Sequence, residues 1–386
     1  MIAKARLALF AAVGGALTGL ISFAFLWSLD WATNTRIAHG WLVWLLPVVG
    51  LLVGAAYHYW GKGAKGGTPL VIEQGHLFTH GVPARMAPLV FGGSIAGHLV
   101  GASVGREGAA LQMAGSVTDT AARAARLSAD ERRLLIAASL AGGWGAVFGV
   151  PITGIVFTLQ VTRRHRWRAL LPAVVAAFTG KFVVDSLGYR MADRPHIDAP
   201  DWTIGLPIKL LIAGVAFGLV GRLFVWLLKF IRASMARWLR WPPARTVVGG
   251  CATLALMVLV GRDYLGLSTQ LLTDAFAGEH VDWWVPLLKL LFTAIALGTG
   301  FVGGDVAPLL VIGSAVGGAI APGLHVPSPL LATTGSAATF AAAATIMATG
   351  VVLTVEQFGW NTLLPAALIA VAARLAAGRP GLYIAH

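Results

Sequence analysis

The chain has 386 residues, of which 57% are hydrophobic and 12% are charged, and its formal net charge is +13. Soluble domains carry about 25% charged residues, so this composition excludes a soluble globular protein and indicates one that crosses a membrane many times. The basic residues stand in short loops between apolar segments, where they orient a membrane protein, and this distribution argues against nucleic-acid binding. The single cysteine, Cys251, excludes an internal disulfide. No pattern predicts a metal or cofactor site, and we expect no enzymatic activity.

The first half of the chain contains apolar segments of spanning length and others that are short or broken. Residues 7–31 are followed at once by 41–60, so the first of these is a spanning segment and not a cleaved signal peptide. The run 70–78 is too short to span and predicts a re-entrant turn that lines a cavity. Glycines and Pro151 interrupt 134–161, which predicts two short helices. The other segments are 86–104, 109–123 and 169–187.

The second half repeats this organisation, with basic and acidic loops on opposite predicted faces. Arginines cluster at 163–168 and at 232–245, and by the positive-inside rule both clusters face the cytoplasm. Aspartates concentrate at 185–201 and 263–282. We expect no soluble domain at either end. The predicted membrane segments of this half are 208–231, 247–260, 285–299, 306–320, 330–354 and 363–377.

Two matched blocks indicate an internal repeat. Residues 104–111 (Val-Gly-Arg-Glu-Gly-Ala-Ala-Leu) align with 302–309 (Val-Gly-Gly-Asp-Val-Ala-Pro-Leu), and 153–160 align with 349–356. The offsets are 198 and 196 residues, and two blocks in the same order at nearly one spacing argue against chance similarity between apolar sequences. Repeats of this kind place a substrate site near the membrane midplane, where broken helices from both halves converge. The predicted halves are residues 1–190 and 191–386.

The stretch 101–110 carries an arginine, a glutamate and three glycines in the middle of apolar sequence. A charged side chain at membrane depth is costly unless it lines a pathway or has a partner, so Glu107 is a candidate functional residue. The glycines permit a tight turn that opens into a helix, and a helix N-terminus attracts anions through its unpaired N–H groups. The sequence therefore predicts that the Glu107 carboxylate and a transported anion compete for one site.

Three motifs carry a resemblance to the CLC family of anion channels and proton-coupled anion antiporters. They are residues 105–108 (Gly-Arg-Glu-Gly), residues 303–308 (Gly-Gly-Asp-Val-Ala-Pro) and Tyr383, which follows an Arg-Pro pair. The resemblance covers nearly the whole chain. It implies an all-α polytopic membrane fold, an inverted repeat of two helical halves with broken and re-entrant helices. It also implies a homodimer with one pore per subunit, and a gating glutamate at Glu107 that blocks the anion path when ionised and moves away when protonated.

Within that family the chain most resembles the fluoride/proton antiporter branch. Residues 105–113, residues 356–359 (Glu-Gln-Phe-Gly) and the short length are similar to that branch. Chloride-transporting relatives have a serine in a Gly-Ser-Gly-Ile-Pro loop, where this chain has Gly67 and Thr68, and a proton glutamate where this chain has Gln160-Val161. Asp305 departs from the fluoride branch, which usually has Glu at that position and Asn or Met near the loop position.

A strongly hydrated anion needs several N–H or O–H donors, which backbone amides at helix starts and the Tyr383 hydroxyl supply without a fixed charge. Glu356 is the other acid deep in an apolar segment, and the resemblance implies that it is a second proton-linked carboxylate. Its alternative is a structural helix-end carboxylate that faces water. The candidate anion-binding residues are Gly67, Thr68, Gly105, Arg106, Gly108, Ala109, Val306, Ala307 and Tyr383.

Some of the polar residues have plainer interpretations. Arg106 is expected to form a structural ion pair or to bind backbone carbonyls rather than to contact the anion. Asp305 stands at a helix start, where an N-cap and a functional acid are equal alternatives. His98 and Ser103 raise the alternative of a membrane hydrolase, which the sequence disfavours because it has no nucleophile elbow.

The sequence thus favours a dimeric proton-coupled fluoride exporter of the bacterial inner membrane. Its partners would be fluoride, protons and the lipid bilayer. A chloride/proton antiporter or a passive chloride channel on the same fold is the alternative.

Overall fold

The computed structural model describes residues 2–162, 166–191, 194–195, 197–198, 200–379 and 381–383, and the regular structure in these residues is helical. Arg163, Arg164 and Asp193 of the predicted loops lie outside them. The α-helices are α1 (Ile2–Ala38), α2 (Leu46–Tyr59), α3 (Gly67–His76), α4 (Met86–Leu99), α5 (Glu107–Ala124), α6 (Ala129–Phe148), α7 (Pro151–Val161), α8 (Arg166–Ser186), α9 (Leu206–Trp238), α10 (Pro242–Val260), α11 (Thr269–Ala277), α12 (Val285–Thr299), α13 (Val306–Leu324), α14 (Ser328–Ala344), α15 (Met347–Phe358) and α16 (Leu363–Ala377).

The prediction of an all-α membrane protein is confirmed. Seven helical segments of the described chain are long and apolar enough to cross a membrane, among them α1, α9 and α13. The short segment predicted to re-enter is α3, which has only 10 residues. A helix of that length rises about 15 Å, half of the hydrocarbon thickness, so α3 cannot span. Its backbone ends are tolerable at depth only because other helices and a cavity surround them.

Both halves contain a helix pair broken at the same place in the repeat. In the first half α6 is followed by the C-cap residue Gly149, whose φ of 71° is left-handed, and Pro151 starts α7. In the second half α14 is followed by the C-cap residue Thr345, whose φ is 64°, and α15 begins after Ile346. The expectation of one segment over 330–354 was therefore wrong. Glycine adopts the left-handed conformation without strain and signals the first break, whereas a threonine in that conformation gives no such signal.

Aromatic side chains fill the interior between the halves. Trp144 of α6 stacks on Phe148 with 4.9 Å between ring centroids, and it contacts Phe157 of α7 and Phe340 of α14 at 5.5 and 5.9 Å. Tyr383 packs edge-on against the same Phe157 and Phe340 at 6.2 and 6.4 Å. Edge-to-face and offset pairs at these distances are favourable. The C-terminal segment is therefore anchored beside the broken helices of both repeats.

Candidate functional site

The starts of α5 and α13 meet in the interior of the molecule. The Gly105 N–H donates to the Gly304 carbonyl at 2.7 Å, and the Gly304 N–H donates to the Gly105 carbonyl at 2.6 Å. This antiparallel pair joins the two repeats immediately before their equivalent helices. Helix α5 begins two residues after Gly105, and α13 begins two residues after Gly304. The positive ends of the two helix dipoles therefore converge on one small volume.

Glycine is required at this junction because the two backbones are in contact. A Cβ atom on Gly108 would lie 2.7 Å from the Gly304 Cα, and a Cβ atom on Gly304 would lie 2.4 Å from the Gly108 nitrogen. Both distances are shorter than any normal contact, so only the absence of a side chain permits this approach. Gly108, which the sequence analysis selected for a tight turn, and Gly304 therefore set the spacing between the helix starts.

Glu107 is the first residue of α5, and its side chain reaches across the junction to α13. Its exposed fraction is 3%. Carboxylate oxygen Oε2 accepts hydrogen bonds from the Ala307 N–H at 3.1 Å and from the Arg106 N–H at 3.2 Å. The Arg106 Nε donates to the other oxygen, Oε1, at 3.3 Å. The carboxylate thus occupies the N-terminus of α13, the place that a bound anion would take.

Arg106 therefore has the structural pairing that was the plainer expectation for it. Its side chain is partly exposed, at 19%, and pairs with the adjacent carboxylate. A role for Arg106 in direct anion binding stays a prediction.

A third helix start, that of α3, packs against the same junction. Gly67 has a left-handed φ of 60° at the first position of α3. The Thr68 hydroxyl donates to the Gly108 carbonyl at 3.2 Å and accepts from the Gln112 side-chain amide at 3.4 Å. Thr68 is buried, so this contact fixes the loop predicted to bind the anion directly beside α5. The sequence alone could not assign Gln112, because a glutamine on a small-residue helix gives no sign of its partner.

Asp305 precedes α13 but does not cap it. Its carboxylate makes no capping bond to the first turn of α13 and instead accepts the Tyr383 hydroxyl at 2.5 Å. Tyr383 is buried, and a phenol has one hydrogen to donate. Its predicted role as an anion ligand therefore requires that this hydrogen turn from Asp305 to the anion.

The remaining predicted residues lie in the first turns of the two helices. Ala109 follows Gly108 in α5, and Val306 and Ala307 open α13; the Ala109 and Val306 side chains are fully buried. Their amides belong to the first turn, where N–H groups lack intrahelical partners. The structure thus brings the predicted anion-binding residues together around the junction. Their binding of an anion stays a prediction.

Glu356 lies apart from this junction, at the end of α15. Its carboxylate accepts the N–H groups of Ile152 and Thr153 at 2.9 and 2.6 Å and the Thr153 hydroxyl at 2.6 Å. These donors belong to the first turn of α7, so the side chain caps that helix from the other repeat. The capping contact accounts for a carboxylate at this depth, while its predicted part in proton transfer stays a prediction.

The repeat partner of Glu356 makes the equivalent contact in the opposite sense. The Gln160 side-chain oxygen, at the end of α7, accepts the Thr349 N–H at 2.7 Å and the Thr349 hydroxyl at 2.5 Å in the first turn of α15. Each broken helix thus caps the other, with an amide on one side and a carboxylate on the other. The block alignment made Thr153 equivalent to Thr349 and Gln160 equivalent to Glu356, but it did not predict that these residues are in contact.

The residues behind the hydrolase alternative are not paired with each other. His98 Nδ1 bonds the Ser94 carbonyl at 2.8 Å, and the Ser103 hydroxyl bonds the Thr293 hydroxyl at 3.0 Å. The fully buried Lys289 also donates to Ser103, at 2.9 Å. His98 therefore does not contact Ser103, and its Nε2 has no hydrogen-bond partner among the described residues, so the two residues named for the hydrolase alternative form no nucleophile–base pair.

Arg194, in the loop between the halves, was missed by sequence reasoning and lies within electrostatic reach of Glu107. Burial lowers the pKa of Arg194 from its ordinary value, the positive charge of Arg106 lowers it further, and the negative charge of Glu107 raises it. Arg106 and Arg194 therefore form a positive environment on one side of the junction. A single arginine in a polar, aspartate-rich loop carries no local sign of this placement.

A cavity of about 540 Å³ approaches the junction, and Thr68, Gly304 and Asp305 belong to its wall. Glu107 is not among the lining residues and lies behind this wall. The cavity wall thus includes residues at the starts of α3 and α13.

A family model described as the voltage gated chloride channel matches residues 49–378. The chain belongs to the voltage-gated chloride channel family. It is 37% identical over 385 residues to the chloride/fluoride channel protein of Pseudomonas syringae pv. tomato, covering 96% of this chain and 84% of the relative. It is 29% identical over 408 residues to the H(+)/Cl(-) exchange transporter ClcA of Salmonella paratyphi B, covering 96% and 85%.

Solved structures of this family have the same fold. The crystal structure of a CLC-type fluoride/proton antiporter matches with a TM-score of 0.94 and 30% identity, over 98% of this chain and 97% of that one. The structure of a slow cyanobacterial Cl-/H+ antiporter matches with a TM-score of 0.84 and 19% identity, over 96% and 94% of the two chains. The predicted CLC fold is therefore confirmed along nearly the whole chain.

Proposed function

We propose that this CLC protein is a proton-coupled fluoride exporter, a fluoride/proton antiporter that works as a homodimer in a bacterial inner membrane with its basic loops in the cytoplasm. The observation that carries the proposal is the 3.1 Å hydrogen bond from the Ala307 N–H to the Glu107 carboxylate. An anionic side chain tethered to one helix start is bound at another. Protonation removes the charge that the helix end attracts, so the side chain can then leave the site to a free anion.

This competition couples the two ions. The converged helix starts hold either the ionised Glu107 carboxylate or a free anion. When they hold the free anion, Glu107 has taken up a proton. Loss of that proton restores the carboxylate, which displaces the anion. Neither ion completes its path without a change in the state of the other, which is the requirement for exchange and not for free conduction.

The packing of α3 supports fluoride as the anion. The hydroxyl of Thr68 is bonded to the Gly108 carbonyl at 3.2 Å, so its hydrogen is not directed at the pathway. The donors of the proposed anion site are therefore closely spaced backbone amides. The contact between the starts of α3 and α5 narrows the space between these amides. A small ion with tightly held water needs such close donors. The similarity to a CLC-type fluoride/proton antiporter supports the same conclusion.

Glu356 is proposed as the second proton-linked carboxylate. It is the titratable member of the reciprocal caps, whereas its repeat partner Gln160 is an amide. Glu356 is itself only partly buried, near the end of α15.

A chloride/proton antiporter is the second candidate function. The gating geometry of Glu107 does not depend on the size of the anion, and the ClcA relative is named as a chloride exchanger. The distinction rests on the narrow amide site described above.

Proton uptake into liposomes tests the choice. Purified protein is reconstituted, and an outward gradient of fluoride or, separately, of chloride is imposed while external pH and anion concentration are recorded. We expect the fluoride gradient to drive protons inward in fixed ratio to fluoride, and the chloride gradient to drive few. Equal or faster exchange with chloride would replace fluoride by chloride as the substrate. Anion movement without protons would identify a passive channel.

A further inference from the structure

The cavity that leads to the junction is lined by an excess of cationic groups. Lys65 stands before α3, Arg232 lies on α9 and Arg245 on α10, and the His58 ring of α2 adds a titratable nitrogen. Among the lining residues that the structure describes, Asp305 is the one carboxylate, and it is bound to a tyrosine at the deep end. Three formal positive charges from three separate parts of the chain thus line one cavity that is open to solvent.

These three cations form no ion pair with a carboxylate among the described residues. Arg232 is within electrostatic reach of Asp305 on the same wall, and Arg245 uses its Nε to donate to the Leu239 carbonyl at 2.8 Å. By contrast, Arg132 elsewhere is neutralised by Asp119 at 2.8 Å. One carboxylate thus faces three cations, and an excess of guanidinium and ammonium groups around a cavity is the arrangement found in anion sites.

The size of the cavity exceeds what a halide needs. Its volume of about 540 Å³ lies within the range of roughly 300–1,000 Å³ typical of small-molecule sites, whereas fluoride or chloride would fill a small part of it. Guanidinium groups bind phosphate through two parallel N–H bonds, and a lysine adds a point charge. The wall also contains Tyr57, whose buried hydroxyl has no hydrogen-bond partner among the described residues. The chemistry therefore fits a polyvalent oxyanion.

We propose that this cavity binds phosphate-bearing polyanions, held by Arg232, Arg245 and Lys65, and that the bound polyanion blocks the route to Thr68 and Asp305. The binding itself follows from the charges and the volume. The blocking action rests on the proposed transport function, because it requires that the transported anion pass through this cavity.

Isothermal titration of inorganic pyrophosphate into the full-length protein in phosphatidylcholine nanodiscs tests the binding without any transport measurement. The test variants are Arg232→Gln and Arg245→Gln, separately and together. Arg237→Gln is the matched control, because Arg237 is an exposed arginine on α9 that does not line the cavity. We expect wild type and the control to bind equally and the double variant to bind at least about tenfold more weakly. Absence of binding to wild type, or an equal loss in Arg237→Gln, would overturn the proposal.

Nanodiscs that contain phosphatidylglycerol distinguish a soluble phosphate from a lipid headgroup. If headgroups enter the cavity, pyrophosphate binds wild type more weakly in these discs, and the difference disappears in the double variant. Equal binding in both kinds of disc assigns the site to soluble polyanions. In liposomes, pyrophosphate on the cavity side should slow fluoride flux at least about fivefold in wild type and not in the double variant. Binding without slowed flux would remove the blocking action alone, and binding by a protein that moves no fluoride would remove the transport function alone.

Discussion

Two carboxylates lie at the junction of the repeats, and they differ in what holds them. Glu107 accepts backbone N–H groups at 3.1 and 3.2 Å, which belong to helix starts that can serve a free anion equally well. Asp305 accepts the hydroxyl of Tyr383, whose ring is fixed between Phe157 and Phe340. Glu107 is therefore the exchangeable group and Asp305 the anchored one. This difference leads to two predictions for single residues.

Removing the charge of Glu107 should strengthen fluoride binding. In Glu107→Gln the neutral side chain no longer competes for the Ala307 N–H, so we expect the fluoride Kd to fall at least about tenfold at neutral pH. Isothermal titration of fluoride measures it. Glu73→Gln is the control, because it removes one exposed carboxylate from α3. An unchanged Kd in Glu107→Gln would mean that the carboxylate and fluoride use different places.

Removing the hydroxyl of Tyr383 should destabilise the protein. Tyr383→Phe keeps the packed ring but leaves the buried Asp305 without its 2.5 Å donor, which should cost about 1–3 kcal/mol. Denaturant unfolding in detergent, followed by tryptophan fluorescence, measures the change. Tyr59→Phe, at an exposed position, should be neutral. If the two variants unfold alike, the Tyr383–Asp305 bond contributes nothing to stability.

At the scale of elements, the site consists of three helix starts whose spacing is set by backbone contact. The mutual bonds of Gly105 and Gly304 and the contact of Thr68 with Gly108 leave no room for adjustment between α3, α5 and α13. Changes to this spacing should therefore affect anion binding and stability together.

Alanine at Gly108 tests the spacing. Its Cβ would lie 2.7 Å from the Gly304 Cα, so the helix starts must separate, and overpacking of this kind costs about 1–3 kcal/mol. We expect a lower unfolding temperature and at least about tenfold weaker fluoride binding. Gly92→Ala in α4 is the matched control, since its Cβ would meet nothing within 4 Å. Wild-type behaviour of Gly108→Ala would show that the junction is loose.

The reciprocal caps separate the structural role of Glu356 from its proposed role in proton transfer. Gln160 caps α15 through one amide oxygen, so Glu356→Gln should keep the two bonds from Thr153, lose the bond from the Ile152 N–H, and stay more stable than Glu356→Leu. Glu356→Leu should lose about 1–2 kcal/mol of stability, as other lost N-caps do. Denaturant unfolding of both variants measures this.

Fluoride/proton exchange by the stable variant Glu356→Gln then decides the proton role. We expect the exchange rate to fall at least about tenfold, because an amide binds no proton at this pH. Exchange at the wild-type rate would leave Glu356 with its capping role alone.

At the scale of the whole molecule, much of the architecture could be predicted because it depends on local patterns. Length and hydropathy predicted the spanning helices, and Gly149 and Pro151 predicted the break between α6 and α7. The short run 70–78 predicted a re-entrant element, which is α3. The equivalent break after Thr345 was missed because a threonine held left-handed by tertiary packing has no local signature. The repeat alignment places Gly149 opposite Thr345 and was the one signal that could have shown it.

The sequence predicted which residues belong to the candidate site better than it predicted the contacts between them. The charged residue Glu107 in apolar sequence marked the junction, since such residues are costly and therefore rarely incidental. The bond between Tyr383 and Asp305, the cap by Glu356 and the position of Arg194 join residues far apart in sequence. Contacts of this kind depend on how the two halves pack, and no local pattern specifies them.

The coupling of the whole molecule depends on one group that is both proton carrier and competitor for the anion site. The most direct test is proton uptake driven by an outward fluoride gradient in liposomes that contain wild type or Glu107→Gln, with intact folding verified by size-exclusion chromatography and fluoride binding. The account predicts inward proton movement in fixed ratio to fluoride for wild type, and none above protein-free liposomes for Glu107→Gln. Proton movement by Glu107→Gln in the wild-type ratio would contradict it.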